Sequence, residues 1–224
     1  MPWLSAERAA LVETLRDADP DGPTLCEGWT TRHVVAHLLQ RDQHPLRSVV
    51  DLASRRPPGQ ERFLGRLVAE AAGPEGYQAL VNRFARGPQR WSPMSWAGES
   101  LSLLEFVIHH EDVRRGAELP ATPPAPGAPA VPARVLPDAE LEAFWRPLQG
   151  MGRLGLHQAP VGVTLVLPDG RRAAVKRDVP EATVTGEPVE LALYVSGRRS
   201  AARVELGGDP TAVARLEAWE SSGT

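Results

Sequence analysis

The 224-residue chain has one cysteine, no long apolar run and no excess of basic residues. Each shortage removes a class of protein. A single thiol, Cys26, excludes an internal disulfide framework. The apolar runs fall far short of the roughly 20 residues needed to span a bilayer. A net charge of −3 and a pI near 6.1 leave no basic surface for nucleic acid or an anionic membrane. The opening MPWLSAERAALVETL lacks the basic flank and continuous apolar core of a signal peptide. There is no G-x-S-x-G nucleophile elbow, and no glycine-rich phosphate loop ending in Lys and Ser or Thr. A cytoplasmic, soluble protein acting on small molecules, as a monomer or homodimer, is the expectation.

Proline and glycine are plentiful, at 22 and 20 residues, and the prolines are unevenly spread. Leu119 to Pro137, LPATPPAPGAPAVPARVLP, is the densest cluster; it has no core-forming pattern and favours extended polyproline geometry. It reads as a linker over 119–137, separating a domain at 1–118 from a second at 138–224.

The first domain reads as helices. Ser5 is an N-cap candidate for a helix through Leu11, Val12 and Leu15, ended by the turn chemistry of Asp19 to Pro23. Thr30 caps a second helix from about Thr31, on which Val34, His37, Leu38 and Arg41 share a face. Pro45 kinks or restarts the chain. Glu61 to Ala72 and Tyr77 to Arg86 are helical by pattern, as one broken helix or two. Trp91 to Trp96 is a loop. Leu101 to Arg115, LSLLEFVIHHEDVRR, closes the domain at Gly116. The long elements number four, a count that fits a bundle. Beyond the linker, Asp138 caps a helix to about Leu148, with glycines at 150, 152 and 155 weakening any continuation. The period then changes: strands over Val161 to Leu167, Arg171 to Lys176, Ala182 to Thr185 and Ala201 to Leu206, a helix over Pro188 to Val195, and a last helix capped by Asp209. That is a small α+β domain.

The Leu101 to Arg115 helix is apolar on most sides, yet carries Glu105, His109 and Asp112 down one face. Residues four apart on a helix are about 5–6 Å apart at Cβ, so Glu105 and His109 can address one centre. Buried charge is rare unless paired or bound to metal. Zinc accepts His nitrogen and carboxylate oxygen, and catalytic sites use three protein ligands with one position open. His37, on the apolar face of another long helix, is the natural third ligand. His33 and His37, also four apart, could instead supply the pair, and a metal-free, hydrogen-bonded pair of Glu105 with His109 is the plain alternative. Asp112 could orient a ligand from behind or pair with Arg114 or Arg115. His110 points elsewhere on the helix, as a packed or partly exposed residue. Cys26 reads as a buried small residue and Trp29 as a core anchor.

GWTTRHVVAHL (Gly28 to Leu38), followed by ExxxHHEDVRR (Glu105 to Arg115), resembles the mycothiol-dependent maleylpyruvate isomerase N-terminal family, a branch of the DinB-like metal-binding four-helix bundles. Past the linker, PVGVTLVLPDG, VTGEPVELALYVSGR and VELGGDPTAVARL resemble the C-terminal domain of the same two-domain proteins, related to sterol-carrier-type α+β folds. The HHEDVRR string is closest to an uncharacterised metal-binding subgroup. The resemblance implies a divalent metal, usually zinc, on His37, Glu105 and His109. It also implies a small thiol such as mycothiol as cosubstrate, and a possible anion contact at Arg198. By that likeness the protein is a metal-dependent thiol S-transferase or isomerase acting on an unnamed electrophile. A non-catalytic metal- or small-ligand-binding protein is the alternative.

Overall fold

The structure, a computed structural model, describes residues 2–54, 56–57, 60–88, 99–116 and 131–221. The predicted loop at Trp91 to Trp96 and most of the proline-rich stretch lie outside them. The chain divides into two compact units, Met1–Pro132 and Ala133–Thr224. The first is helical and the second carries a small sheet, so the two-domain layout read from the sequence holds.

In the first unit the described helices are α1 (Pro2–Asp17), α2 (Thr31–Gln43), α3 (Pro45–Ala53), α4 (Leu64–Glu70), α5 (Pro74–Ala85) and α6 (Glu99–Arg114). Six stand where four long ones are expected, because two proline-led starts each begin a helix of their own. Pro45 begins α3 and Pro74 begins α5, the position where a missing N–H costs nothing. Pro2 likewise starts α1 ahead of Ser5, whose hydroxyl donates to the Pro2 carbonyl inside the helix at 2.8 Å rather than capping it. Leu11, Val12, Leu15, Val34, Leu38, Leu80, Phe84 and Phe106 form the apolar core. Asp51 holds the short helices in place: its carboxylate accepts from Gln40 Nε2 at 2.8 Å and from the backbone N–H of Leu64 at 2.9 Å, at the start of α4.

The second unit runs α7 (Asp138–Gly155), β1 (Gly162–Val166), β2 (Arg172–Lys176), β3 (Glu181–Thr185), α8 (Pro188–Val195), β4 (Glu205–Gly208) and α9 (Pro210–Ser221). The sheet order is β2-β1-β3-β4, with β1 parallel to β3 and the outer pairs antiparallel. Central β1 is buried on both faces from Gly162 to Leu165, the polar Thr164 included.

Three expectations need correction here. Asp138 does not cap α7 but is its first residue, after Pro137. Helix α7 does not stop near Leu148. Its glycines let other elements approach: a Cβ on Gly155 would lie 2.0 Å from the Val195 carbonyl oxygen, and one on Gly152 would lie 2.8 Å from Val175 Cγ1. Nor do residues 201–204 form a strand. Arg199–Ala201 is a 3₁₀ turn, and the Arg203 N–H is taken by the Glu190 carboxylate at 2.9 Å instead of a ladder partner. Asp209 does cap α9, its Oδ1 accepting from Thr211 N at 2.8 Å. None of the described helices is long and apolar enough to cross a membrane.

At the end of α6, a Cβ on Gly116 would fall 1.9 Å from the Pro23 carbonyl oxygen and 2.7 Å from Thr24 Cα. Both obstacles are backbone, so Gly116→Ala must displace the loop before α2. The substitution is expected to cost roughly 1–3 kcal/mol, as overpacking does, by urea denaturation. Gly150→Ala meets nothing within 4 Å and sits inside α7, so it should stabilise by about 0.5–1 kcal/mol.

Candidate metal centre

Helix α2 is launched by Thr30, whose backbone N–H donates to His33 Nδ1 at 3.1 Å. The imidazole does at the third helical position what Glu does in a capping box. Burial lowers His33 below its ordinary value, which suits a ring that accepts. One turn on, His37 points at α6. Its Nε2 lies 3.2 Å from Glu105 Oε1. Its ring centroid is 5.0 Å from that of His109 and 5.2 Å from that of Trp29. One donor atom from each of His37, Glu105 and His109 falls within 4.8 Å of the others.

The three residues fit a divalent ion by their chemistry. Ligands about 2.0–2.1 Å from a tetrahedral zinc stand roughly 3.3 Å apart, close to the His37–Glu105 separation. His109 Nδ1 is held by Asp112 Oδ2 at 2.8 Å, which fixes the tautomer and leaves Nε2 for ligation. Asp112 therefore serves His109, and Arg114 and Arg115 turn instead to Glu111, each at 2.6 Å. Neighbouring His110 is buried, with Nδ1 2.9 Å from Glu7 Oε1 and Nε2 2.7 Å from Thr14 Oγ1. Arg198 belongs to the other unit, where its Nη1 donates to the Ser196 carbonyl at 2.6 Å.

Two participants are more than the sequence suggests. Cys26 is only partly buried, and its thiol donates to Asp112 Oδ2 at 3.1 Å. Nothing in its spacing announced this, since the loop that carries it is placed by Leu25 N–H bonding the Asp112 carbonyl at 3.1 Å. Arg41 pairs with Glu105, Nε standing 3.0 Å from Oε1. Here there was a signal, because Arg41 lies four residues after His37.

These contacts set the charges. Burial lowers His37 below its ordinary value, the Glu105 hydrogen bond only partly opposing it. Burial also works against ionised Glu105. The hydrogen bond to His37 and the charges of His37, Arg41 and His109 outweigh it and bring the carboxyl to about 2. For His109 burial again opposes the charge, and the hydrogen bond to Asp112, with Cys26 adding, raises the imidazole to about 10.

Residues 4–94 match the family model described as "Mycothiol maleylpyruvate isomerase N-terminal domain". No curated protein matches the sequence. Two solved structures resemble the fold. They are a mycothiol-dependent maleylpyruvate isomerase (TM-score 0.56) and a histidine-to-alanine variant of one (TM-score 0.57). Each is 17% identical, over 93% of this chain and 92% of the other.

In chelator-treated protein the shifts give stability a defined pH dependence. Glu105 is depressed from 4.5 to about 2, so its contribution is present above pH 4.5 and lost as pH falls towards 2. His109 is raised from 6.5 to about 10, so its contribution is present below pH 6.5 and lost as pH rises through 10. Urea midpoints across pH should show both losses, and Asp112→Asn should flatten the alkaline one.

Proposed function

We propose that this protein, whose residues 4–94 carry a mycothiol maleylpyruvate isomerase N-terminal domain, is a metal-dependent enzyme. It would use a small thiol, mycothiol or a close analogue, in an S-transfer or isomerisation of a small electrophile. The single observation that carries the reading is the convergence of His37, Glu105 and His109 from two helices onto one point. These three would hold a divalent ion, zinc by its acceptance of nitrogen and oxygen donors. Bound there, it would supply a Lewis acid that deprotonates a coordinated thiol at neutral pH.

The chain's own residues account for the rest. Asp112 orients His109 and holds the proton of Nδ1, while Arg41 keeps Glu105 ionised. Trp29, half-buried, lies against the His37 ring and shields one side of the cluster. Arg198 is the second unit's candidate for an anionic group on the substrate. We place the N-terminal unit among DinB-like four-helix bundles, supported by the packing of α1, α2, α5 and α6 on one core. The second unit is placed among sterol-carrier-like folds, supported by its four-stranded sheet and three helices. The working boundaries are 1–118 and 138–224, and the protein acts in the cytoplasm as a monomer or homodimer.

One observation favours a second reading. The cluster is internally satisfied, His37 with Glu105 and His109 with Asp112, so it could stand as a metal-free polar lock in a non-catalytic ligand-binding protein. Elemental analysis separates the two. Wild type is expected to hold about one zinc per chain, with His37→Ala and His109→Ala holding almost none, and the loaded protein should bind mycothiol by calorimetry. Wild type that neither contains zinc nor takes it up would end the enzyme reading.

A further inference from the structure

On the Nδ1 edge of His109, three donor atoms of different chemistry meet. Asp112 Oδ2 is 2.8 Å from His109 Nδ1 and accepts from the Cys26 thiol at 3.1 Å. Sulfur, nitrogen and oxygen all fall within 4.8 Å of one another, as the donor atoms of His37, Glu105 and His109 do. Asp112 and His109 are buried and Cys26 is only partly so, which leaves the thiol as the side open to an entering ion.

Two segments hold these atoms together. His109 and Asp112, three apart on α6, present two donors on one face. Cys26 comes from the loop before α2, fastened to the same helix where the Leu25 N–H donates to the Asp112 carbonyl at 3.1 Å. A tetrahedral zinc with sulfur at about 2.3 Å and nitrogen or oxygen at about 2.0–2.2 Å keeps its donors roughly 3.3–3.6 Å apart. The observed 2.8 and 3.1 Å are slightly tighter, as fits atoms that share protons. Opening them by roughly half an ångström gives the zinc spacing. A thiol is a weak hydrogen-bond donor, but a thiolate is a soft metal ligand that selects zinc over magnesium or calcium.

We propose that Cys26, Asp112 and His109 Nδ1 form a second metal site, which takes a thiophilic divalent ion, zinc by its ligand set. The thiol proton and the Nδ1 proton pass to solvent as the ion enters, and no other bond is made or broken. The inference goes beyond the proposed function and does not rest on it, since His37 and Glu105 take no part. With both sites filled, His109 bridges them as an imidazolate, one ion on each ring nitrogen. Asp112 then changes from the partner of a proton to the ligand of an ion.

The test is a cobalt titration of the full chain, metal-stripped and reduced, in wild type and in His37→Ala, which disables the first site. Cobalt on a thiolate gives an intense near-ultraviolet charge-transfer band that nitrogen and oxygen ligands do not give. Cys26 is the only cysteine in the chain, so the band has one possible source. In His37→Ala the band should saturate at about one cobalt per chain. Adding Cys26→Ser should abolish it, and adding Asp112→Asn should weaken cobalt binding about tenfold or more. No band in His37→Ala would overturn the proposal. Unchanged affinity with Asp112→Asn would also overturn it, making the thiolate an adventitious ligand. If the variants do not fold, ¹¹³Cd NMR of wild type decides: a resonance moved downfield by sulfur supports the site, and nitrogen and oxygen ligation alone overturns it. Wild type that binds a single cobalt with the band would keep this site and remove the one on His37 and Glu105. A single cobalt without the band would do the reverse.

Discussion

Four consecutive buried polar residues on α6, His109 to Asp112, constrain everything else in the first unit. Consecutive residues on a helix are turned about 100° from one another, so no single neighbour can satisfy all four. Each recruits a different part of the chain. His109 stands against His37 of α2, and Asp112 takes the Cys26 thiol from the loop before α2. His110 bonds Glu7 and Thr14 of α1, and Glu111 takes the two arginines that end its own helix. Leaving any of these groups buried without a partner would cost several kcal/mol. The bundle is arranged so that this does not happen.

The candidate centre is a by-product of that requirement as much as a separate device. A carboxylate and two imidazoles are brought within ligand distance by helices that must already meet to bury Val34, Leu38 and Phe106. The same hydrogen bonds that make the cluster tolerable without an ion also prepare it for one: Asp112 fixes the His109 tautomer, and Arg41 holds Glu105 as an anion.

Much of this was legible in the sequence because it is periodic. Glu105 and His109 are four apart, Thr30 precedes an amphipathic run, and Pro188 to Val195 reads as a helix and is one. What was not legible depends on approach between distant segments. Gly152 and Gly155 look like helix breakers until the packed Val175 and Val195 are seen. Cys26 has no ligand spacing to any histidine, and joins the site only because its loop is stitched to the end of α6. Helix α4 is shorter than its pattern because Asp51, far off in sequence, accepts the N–H groups that set its start. Local propensity had no access to such partners.

The sequence distance of those bonds has a kinetic consequence. His110 and Glu7 are 103 residues apart, Cys26 and Asp112 are 86 apart, and His37 and Glu105 are 68 apart. Helices α1 to α5 can form and collapse as they emerge during synthesis, but Glu7, Cys26 and His37 have no α6 partner until that helix is made. Closing such long loops is slow. The first unit therefore cannot be finished from its N-terminus forwards. Its polar interior closes only once α6 is present, and a chain truncated before Glu99 would leave Glu7, Cys26 and His37 without these partners.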